Sequence, residues 1–261
     1  MPSWNSAQYL KFAQERTQPS IDLAARVALA APARVIDLGC GPGNSTAVLA
    51  QRWPAGAITG LDNSTAMLAA ARKEHPSWQW IESDIVSWAT AALGSSGQFD
   101  VVFSNAALQW VPDHERVFPA LLTRVAAGGA LAVQMPANFD APPHRLMREV
   151  ALSPAWRSHF APLPREWHAH APEFYYDTLA PHVARLDLWL TDYVHVLEGV
   201  DGIVEWYRGS GLRPWLDSLP DESTRTRFLA DYRTAIAPHF VPRPDGRVLF
   251  PFRRLFLIAY R

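Results

Sequence analysis

The chain is predicted to fold as an α/β protein around a mostly parallel sheet, and three observations carry that expectation. From residue 34 to 136, short apolar runs alternate with amphipathic stretches, the pattern of βαβ units. One run, Val35-Ile36-Asp37-Leu38, leads straight into Gly39-Cys40-Gly41-Pro42-Gly43, a glycine loop joining a strand to a helix. The length of 261 residues suffices for one such domain with insertions, and for a full core without disulfides or metals.

Taken in order, residues 1–30 read as amphipathic helix ahead of the first strand, placed to fold over a ligand site as a lid. Strands are expected at 34–38, 57–62, 78–83, 99–104 and 130–135, where β-branched and aromatic residues cluster. Helices fill the gaps, at 44–52, 64–74 and 113–125. Asp113 after Pro112 is the expected N-cap of the last helix, and Gly128-Gly129 is expected to end it and open the next strand. Residues 31–136 thus form a core. Residues 137–184 and 198–246 show loop or helical character and are expected to be cap insertions over the carboxyl edge of the sheet. Strands at 186–196 and 255–260, within 185–197 and 247–261, would complete it.

Composition narrows the function classes. A formal net charge of −1 offers no general attraction for a phosphate backbone or an anionic lipid surface, so a small-molecule partner is favoured over nucleic acid or membrane. No apolar segment approaches bilayer-spanning length and no secretory h-region follows Met1, so a cytoplasmic location is expected. Cys40 is the single cysteine. The basic residues are 22 arginines and two lysines, Lys11 and Lys73, a bias that a GC-rich genome explains in bulk. A few arginines can still serve carboxylates, which their planar fork matches.

The glycine loop admits two readings, separated by spacing. A dinucleotide fingerprint needs G-x-G-x-x-G, whereas this loop reads G-x-G-x-G, with Asn44 where the third glycine would stand. Asp37 ahead of it suits a ligand carrying an amine and a sulfonium better than a pyrophosphate. Further candidates end successive strands, where open α/β sheets bind ligands. Asp62, with Asn63 and Met67 beside it, can accept from both ribose hydroxyls. Asp84 can accept from an adenine amino group while Ile85 covers the ring. Asn105 and Ala106 lie where the far end of the same ligand would sit.

Asp37, Gly39, Gly41, Gly43, Asp62, Asp84 and Asn105 together resemble the motifs of class I S-adenosylmethionine (SAM) methyltransferases. That resemblance implies SAM as methyl donor and a Rossmann-like, seven-stranded sheet with one antiparallel strand, helices on both faces and a helical cap. A narrower resemblance, to the trans-aconitate 2-methyltransferases, covers nearly the whole chain. It rests on Asp37 to Thr46, Leu108-Gln109-Trp110-Val111-Pro112-Asp113-His114, Ala132-Val133-Gln134-Met135-Pro136, Leu146-Met147-Arg148-Glu149-Val150-Ala151 and Gly211-Leu212-Arg213-Pro214-Trp215-Leu216. Residues 156–172 depart from that pattern. The resemblance implies methylation of one carboxylate of trans-aconitate, giving a monomethyl ester and S-adenosylhomocysteine.

Such chemistry requires no general base, because a carboxylic acid with a pKa of about 4 is already ionised at neutral pH. The expected demands are an in-line approach and cationic contacts to the carboxylates that do not react. Arg213 leads the candidates, with Asp217 four residues on as a competing partner. Arg208, Arg148 and Arg16 follow. Gln109 and Trp110 are expected to face the transferred methyl group, and Trp4 and Tyr9 to close the site from the N-terminal lid. His168-Ala169-His170 lacks the partners of a metal site and reads as an exposed loop. Another carboxylic acid, such as a malonyl thioester or a terpenoid acid, and a SAM-binding regulator without turnover are the alternatives.

Overall fold

The computed structural model describes residues 12–92, 97–160 and 167–261. Its centre is a seven-stranded sheet in the order β3-β2-β1-β4-β5-β7-β6, with β1 Arg34–Leu38, β2 Ala57–Asp62, β3 Gln79–Glu82, β4 Phe99–Asn105, β5 Val125–Pro136, β6 Arg185–Leu197 and β7 Val248–Tyr260. The β2–β3, β1–β2, β1–β4 and β4–β5 pairs are parallel, and β7 runs antiparallel to β5. Strand order reverses at β1, between β2 and β4, which makes the carboxyl end of β1 a topological switch point.

Helices α1 Ala13–Arg26, α2 Asn44–Arg52, α3 Thr65–Glu74, α4 Ile85–Thr90 and α5 His114–Thr123 accompany the first five strands. Two of them begin at side-chain caps. Ser64 Oγ accepts from Met67 N at 3.4 Å, and Asp84 Oδ1 accepts from Ser87 N at 2.8 Å, each satisfying a donor that the first turn leaves open. The last turn of α4 is closed by Arg124, a buried side chain that donates to the carbonyls of Trp88, Ala89 (3.2 Å) and Ala91 (2.6 Å).

Each face of the sheet has its own cover. On one, Ile36, Val102, Leu131, Val133, Met135, Leu255 and Leu257 belong to an apolar cluster with Leu108, Val117, Phe118 and Leu121, and with Tyr175 and Leu179 of α7 Pro172–Leu179. On the other, Phe256 stacks on Trp189 of the neighbouring β6 at 4.9 Å, and the Arg26 guanidinium of α1 lies 4.4 Å over the Trp189 ring. The C-terminal end of α1 is fixed at the amino edge of the sheet, where Tyr260 Oη accepts from Ala28 N at 3.0 Å. With a rise of about 1.5 Å per residue, Arg16 lies roughly 15 Å back along α1 from Arg26.

Two compact units share the chain. Of the described residues, the sheet unit holds 14–92, 97–137, 167–191 and 254–261; the other holds 12–13, 138–160 and 192–253. The second unit contains α6 Pro142–Leu152, α8 Gly199–Arg208, α9 Arg213–Asp217 and α10 Glu222–Ile236. It has an aromatic interior in which Trp206, Tyr207 and Phe250 meet with ring centroids 5.7 to 5.8 Å apart. His144 is wholly buried there, 4.8 Å from the Tyr207 ring, and desolvation pushes its pKa down to about 3, so it is neutral. Among the described residues, no helix is long and apolar enough to cross a membrane.

Several sequence expectations need correction. Gly128-Gly129 does not open the fifth strand. The strand starts at Val125, and the glycines lie inside it, at the register shift opposite Phe99–Val101. A Cβ on Gly129 would lie 2.6 Å from the Asp100 carbonyl oxygen, so only glycine fits. Asp113 occupies the N-cap position, but in left-handed conformation (φ 57°) and without a side-chain cap bond. The last strand begins at Val248 rather than Leu255. Residues 167–169 are half-buried rather than exposed: His168 N donates to the Gln109 carbonyl at 2.9 Å, and only His170, stacked on Phe174 at 4.0 Å, is exposed.

Candidate active site

The glycine loop turns at the carboxyl end of β1 with Gly39, Gly41 and Gly43 at φ of 70°, 55° and 98°, the left-handed region that glycine enters without penalty. The loop is stitched to β2, since Gly39 N and Cys40 N both donate to the Leu61 carbonyl, at 2.7 and 3.0 Å. Its glycines serve different ends. A Cβ on Gly39 would sit 2.2 Å from the Ala107 Cβ, whereas a Cβ on Gly41 would meet nothing within 4 Å. Gly39 is therefore required by packing, and Gly41 faces open space.

Asp37 lies beneath this loop. It is fully buried, and its Oδ2 accepts from Ser45 Oγ at 2.6 Å and from Thr46 Oγ1 at 2.7 Å, tying the first turn of α2 to β1. Desolvation lifts its pKa to about 6; the two hydroxyls offset part of that, and Asp62 adds to it. A group so enclosed positions the loop and acts on a ligand above it through its field.

Asp62 is half-buried at the end of β2. Its Oδ2 accepts from Gly41 N and its Oδ1 from Ser64 N, both at 2.9 Å, so one carboxylate fixes the glycine loop and the start of α3 together. Asn63 is exposed beside it, and Met67 is half-buried in the first turn of α3. Asp84 is exposed as the cap of α4, where the bonds from Ser87 hold its carboxyl below the ordinary range, and the adjoining Ile85 is buried. After β4, Ala106 adopts φ 55°, an uncommon conformation for alanine that collects at functional sites.

A family model described as a methyltransferase domain matches residues 35–129, the segment containing these strand ends. The trans-aconitate 2-methyltransferase of Azoarcus sp. (strain BH72) is 48% identical over the whole of both chains. That of Methylobacterium nodulans is 50% identical over all of this chain and 99% of its own. The chain belongs to the trans-aconitate 2-methyltransferase family. In fold it is also similar to the YcgJ protein of Bacillus subtilis, with a TM-score of 0.59 at 13% identity over 94% of this chain and 98% of that one.

SAM is the methyl donor of these methyltransferases, and the strand ends fit it. Gly41 leaves room for a ligand against the backbone. Asp37 Oδ1 and Asn105 Oδ1 are buried acceptors with no hydrogen-bond partner among the described residues, a polarity that suits a ligand carrying an ammonium and a sulfonium. Asp62 is the last residue of β2, and Asp84 follows the end of β3 by two residues.

The residues expected on the acceptor side are placed less uniformly. Gln109 is buried; its Nε2 donates to the Ala106 carbonyl at 2.7 Å, closing the tight turn after β4, while its Oε1 is buried with no hydrogen-bond partner among the described residues. Trp110 is half-buried, with its ring 5.9 Å from that of Trp167. Arg213 opens α9, and its Nε lies 3.5 Å from Asp217 Oδ2, the competing partner in the sequence. Neither Gly209 nor Gly211 just before Arg213 has positive φ, and the turn between α8 and α9 is close to helical. Arg208 is an exposed member of ion pairs with Glu205 and Glu222, at 3.4 and 3.8 Å, and Arg148 is exposed on α6. Arg16 is half-buried on α1; Trp4 and Tyr9 lie outside the described residues.

Sequence reasoning assigned no role to Ser45 and Thr46, though hydroxyls one turn after a glycine loop are a readable signal. It also gave none to Gln134 or Arg254, both buried in the sheet unit.

Proposed function

We propose that this protein transfers the methyl group of SAM to one carboxylate of trans-aconitate, yielding the monomethyl ester and S-adenosylhomocysteine. The observation that carries the proposal is identity of 48 to 50% over the full chain with relatives bearing that activity in their names, on a scaffold whose strand ends fit the donor.

SAM supplies an electrophilic methyl group on a sulfonium. The chain's task is to hold it and to orient the acceptor. Asp62 takes the ribose hydroxyls while fixing Gly41 and Ser64, so the loop is pre-formed when the donor arrives. Asp84 and Ile85 hold the adenine. Asp37, through Ser45 and Thr46, keeps the first turn of α2 in place and lends negative potential to the positively charged end.

The acceptor carboxylate is ionised at neutral pH and needs no base. Its oxygen must stand roughly 3 Å from the methyl carbon, in line with the breaking C–S bond, with water excluded. Trp110, beside the turn after β4, offers an apolar wall and one N–H donor, which orients a carboxylate without neutralising it. Strong cationic contacts belong on the other carboxylates, where they fix the molecule and leave the attacking oxygen nucleophilic.

The test is S-adenosylhomocysteine formation by purified protein supplied with SAM and, separately, trans-aconitate, cis-aconitate, citrate, isocitrate and a fatty acid. Highest kcat/KM with trans-aconitate is the expected result. Turnover of the fatty acid alone, or SAM binding with no turnover, would overturn the proposal.

A further inference from the structure

One face of the sheet carries a row of polar side chains at its carboxyl edge, one from each of four neighbouring strands. Asp37 on β1 is in register with Phe103 on β4, so Asn105, two residues on, continues that face beyond the end of β1. Asn105 is in register with Gln134 on β5, Gln134 with Phe256 on β7, and Pro136 with Arg254. Side chains alternate with a period of two, so Asp37, Asn105, Gln134 and Arg254 project from the same face.

Solvent does not explain the row. Asp37 and Gln134 are 0% exposed and Arg254 only 4%, while Val101, Phe103, Ala130, Ala132 and Ile258 on the same face are fully buried and apolar. Arg254 is the cation of this row, brought onto the face by the register of β7 with β5. Arg254 Nη1 donates to Gln134 Oε1 at 3.3 Å, and the Nε2 of that glutamine is buried with no hydrogen-bond partner among the described residues. The row is negative at its β1 end and positive at its β7 end, and it retains hydrogen-bonding capacity between them.

We propose that Arg254 binds a carboxylate of the acceptor other than the one that is methylated, with Gln134 orienting its guanidinium. The inference rests on the function proposed above and assigns the substrate-recognising cation of that site. Strand spacing selects this role over a contact to SAM. Neighbouring strands lie about 4.8 Å apart, so β7 stands roughly 10 Å from β4, beyond a methionine portion seated against the β1 loop and Asn105 but within the span of a polycarboxylate that starts there. The separation has a chemical use: the planar fork holds a distal carboxylate in a fixed orientation and leaves the attacking oxygen unneutralised.

Two variants test it, Arg254→Gln and Arg254→Lys, each measured for KM with trans-aconitate, Kd for SAM by titration calorimetry, and preference for trans-aconitate over crotonate, a monoacid without the distal carboxylates. In R254Q the KM for trans-aconitate should rise about tenfold or more, and the preference over crotonate should fall by a similar factor. SAM affinity should stay within about twofold, and R254K should recover part of the loss because a point charge remains. If R254Q neither melts cooperatively nor binds SAM, R254K decides, with a KM raised several-fold at unchanged SAM affinity.

An unchanged KM, equal losses with both acids, or a loss that falls on SAM affinity would overturn the assignment. The last outcome would give the charge to the donor's carboxylate. A wild-type protein that turns over no trans-aconitate would remove the underlying reading instead, and that control is read before any variant.

Discussion

Asp62 and Gly41 are joined by a 2.9 Å hydrogen bond from the loop amide to the carboxylate, and the other oxygen of the same carboxylate accepts from Ser64 N at 2.9 Å. One side chain therefore shapes the glycine loop, and the proposed function gives that same side chain the ribose hydroxyls of SAM. Asp62→Ala should raise the Kd for SAM about 30-fold or more, since it removes charge-assisted bonds and pre-formation together. Calorimetric titration would show it, and an affinity within threefold of wild type would contradict the role.

Two glycines of the loop should fail in different ways when given a methyl group. At Gly39 the added Cβ meets Ala107 at 2.2 Å in a left-handed backbone, so Gly39→Ala should cost about 3 kcal/mol, seen as a fall of roughly 10 °C in Tm. At Gly41 only the backbone conformation is penalised, by about 1 kcal/mol. Gly41→Ala should therefore melt close to wild type while losing SAM affinity by about tenfold or more, because its Cβ occupies the space facing the ligand. Equal thermal losses in the two variants would contradict the division.

Asp37 makes the ligand-free protein sensitive to pH in a defined direction. Its pKa is raised from 3.8 to about 6, so the folded state holds its proton more tightly than the unfolded chain does. Stability from this group is complete below pH 3.8 and is lost as pH rises through about 6, a penalty of roughly 3 kcal/mol when complete. Asp37→Asn keeps an acceptor for Ser45 and Thr46 and removes the titration. Its Tm relative to wild type should improve between about pH 4.5 and pH 7.5, while SAM affinity at the higher pH falls. Thermal melts across that range check the sign, and a relative Tm that declines with pH would contradict it.

Arg213 and Arg254 should separate in the same assay. Asp217 already engages Arg213, so Arg213→Ala should raise the KM for trans-aconitate by less than about threefold. A larger effect for R213A than for R254Q would reverse the ranking of the two arginines.

The strand and helix pattern was legible because apolar runs of parallel strands are buried on both faces and stand out against amphipathic helices. The glycine loop and the acids at 37, 62 and 84 were legible because their spacing is local. Two things were hidden. Gly128-Gly129 reads as a boundary in sequence but sits within β5 as an irregularity, a consequence of packing against Asp100. Arg254 stood just ahead of the strand expected at 255–260, because the pair Arg253-Arg254 interrupts the apolar run and reads as an exposed strand start. Only the register of β7 with β5 shows that it shares a buried face with Gln134. For Gln109, the nearness to β4 was readable, but not the fold-back of its Nε2 onto the Ala106 carbonyl.

The most direct measurement is the product of a reaction containing purified protein, SAM labelled in its methyl group and trans-aconitate. Stoichiometric S-adenosylhomocysteine and a singly labelled monomethyl ester, formed with higher kcat/KM than from cis-aconitate or citrate, is the expected result. SAM bound at the glycine loop with no labelled ester from trans-aconitate would contradict the proposed function.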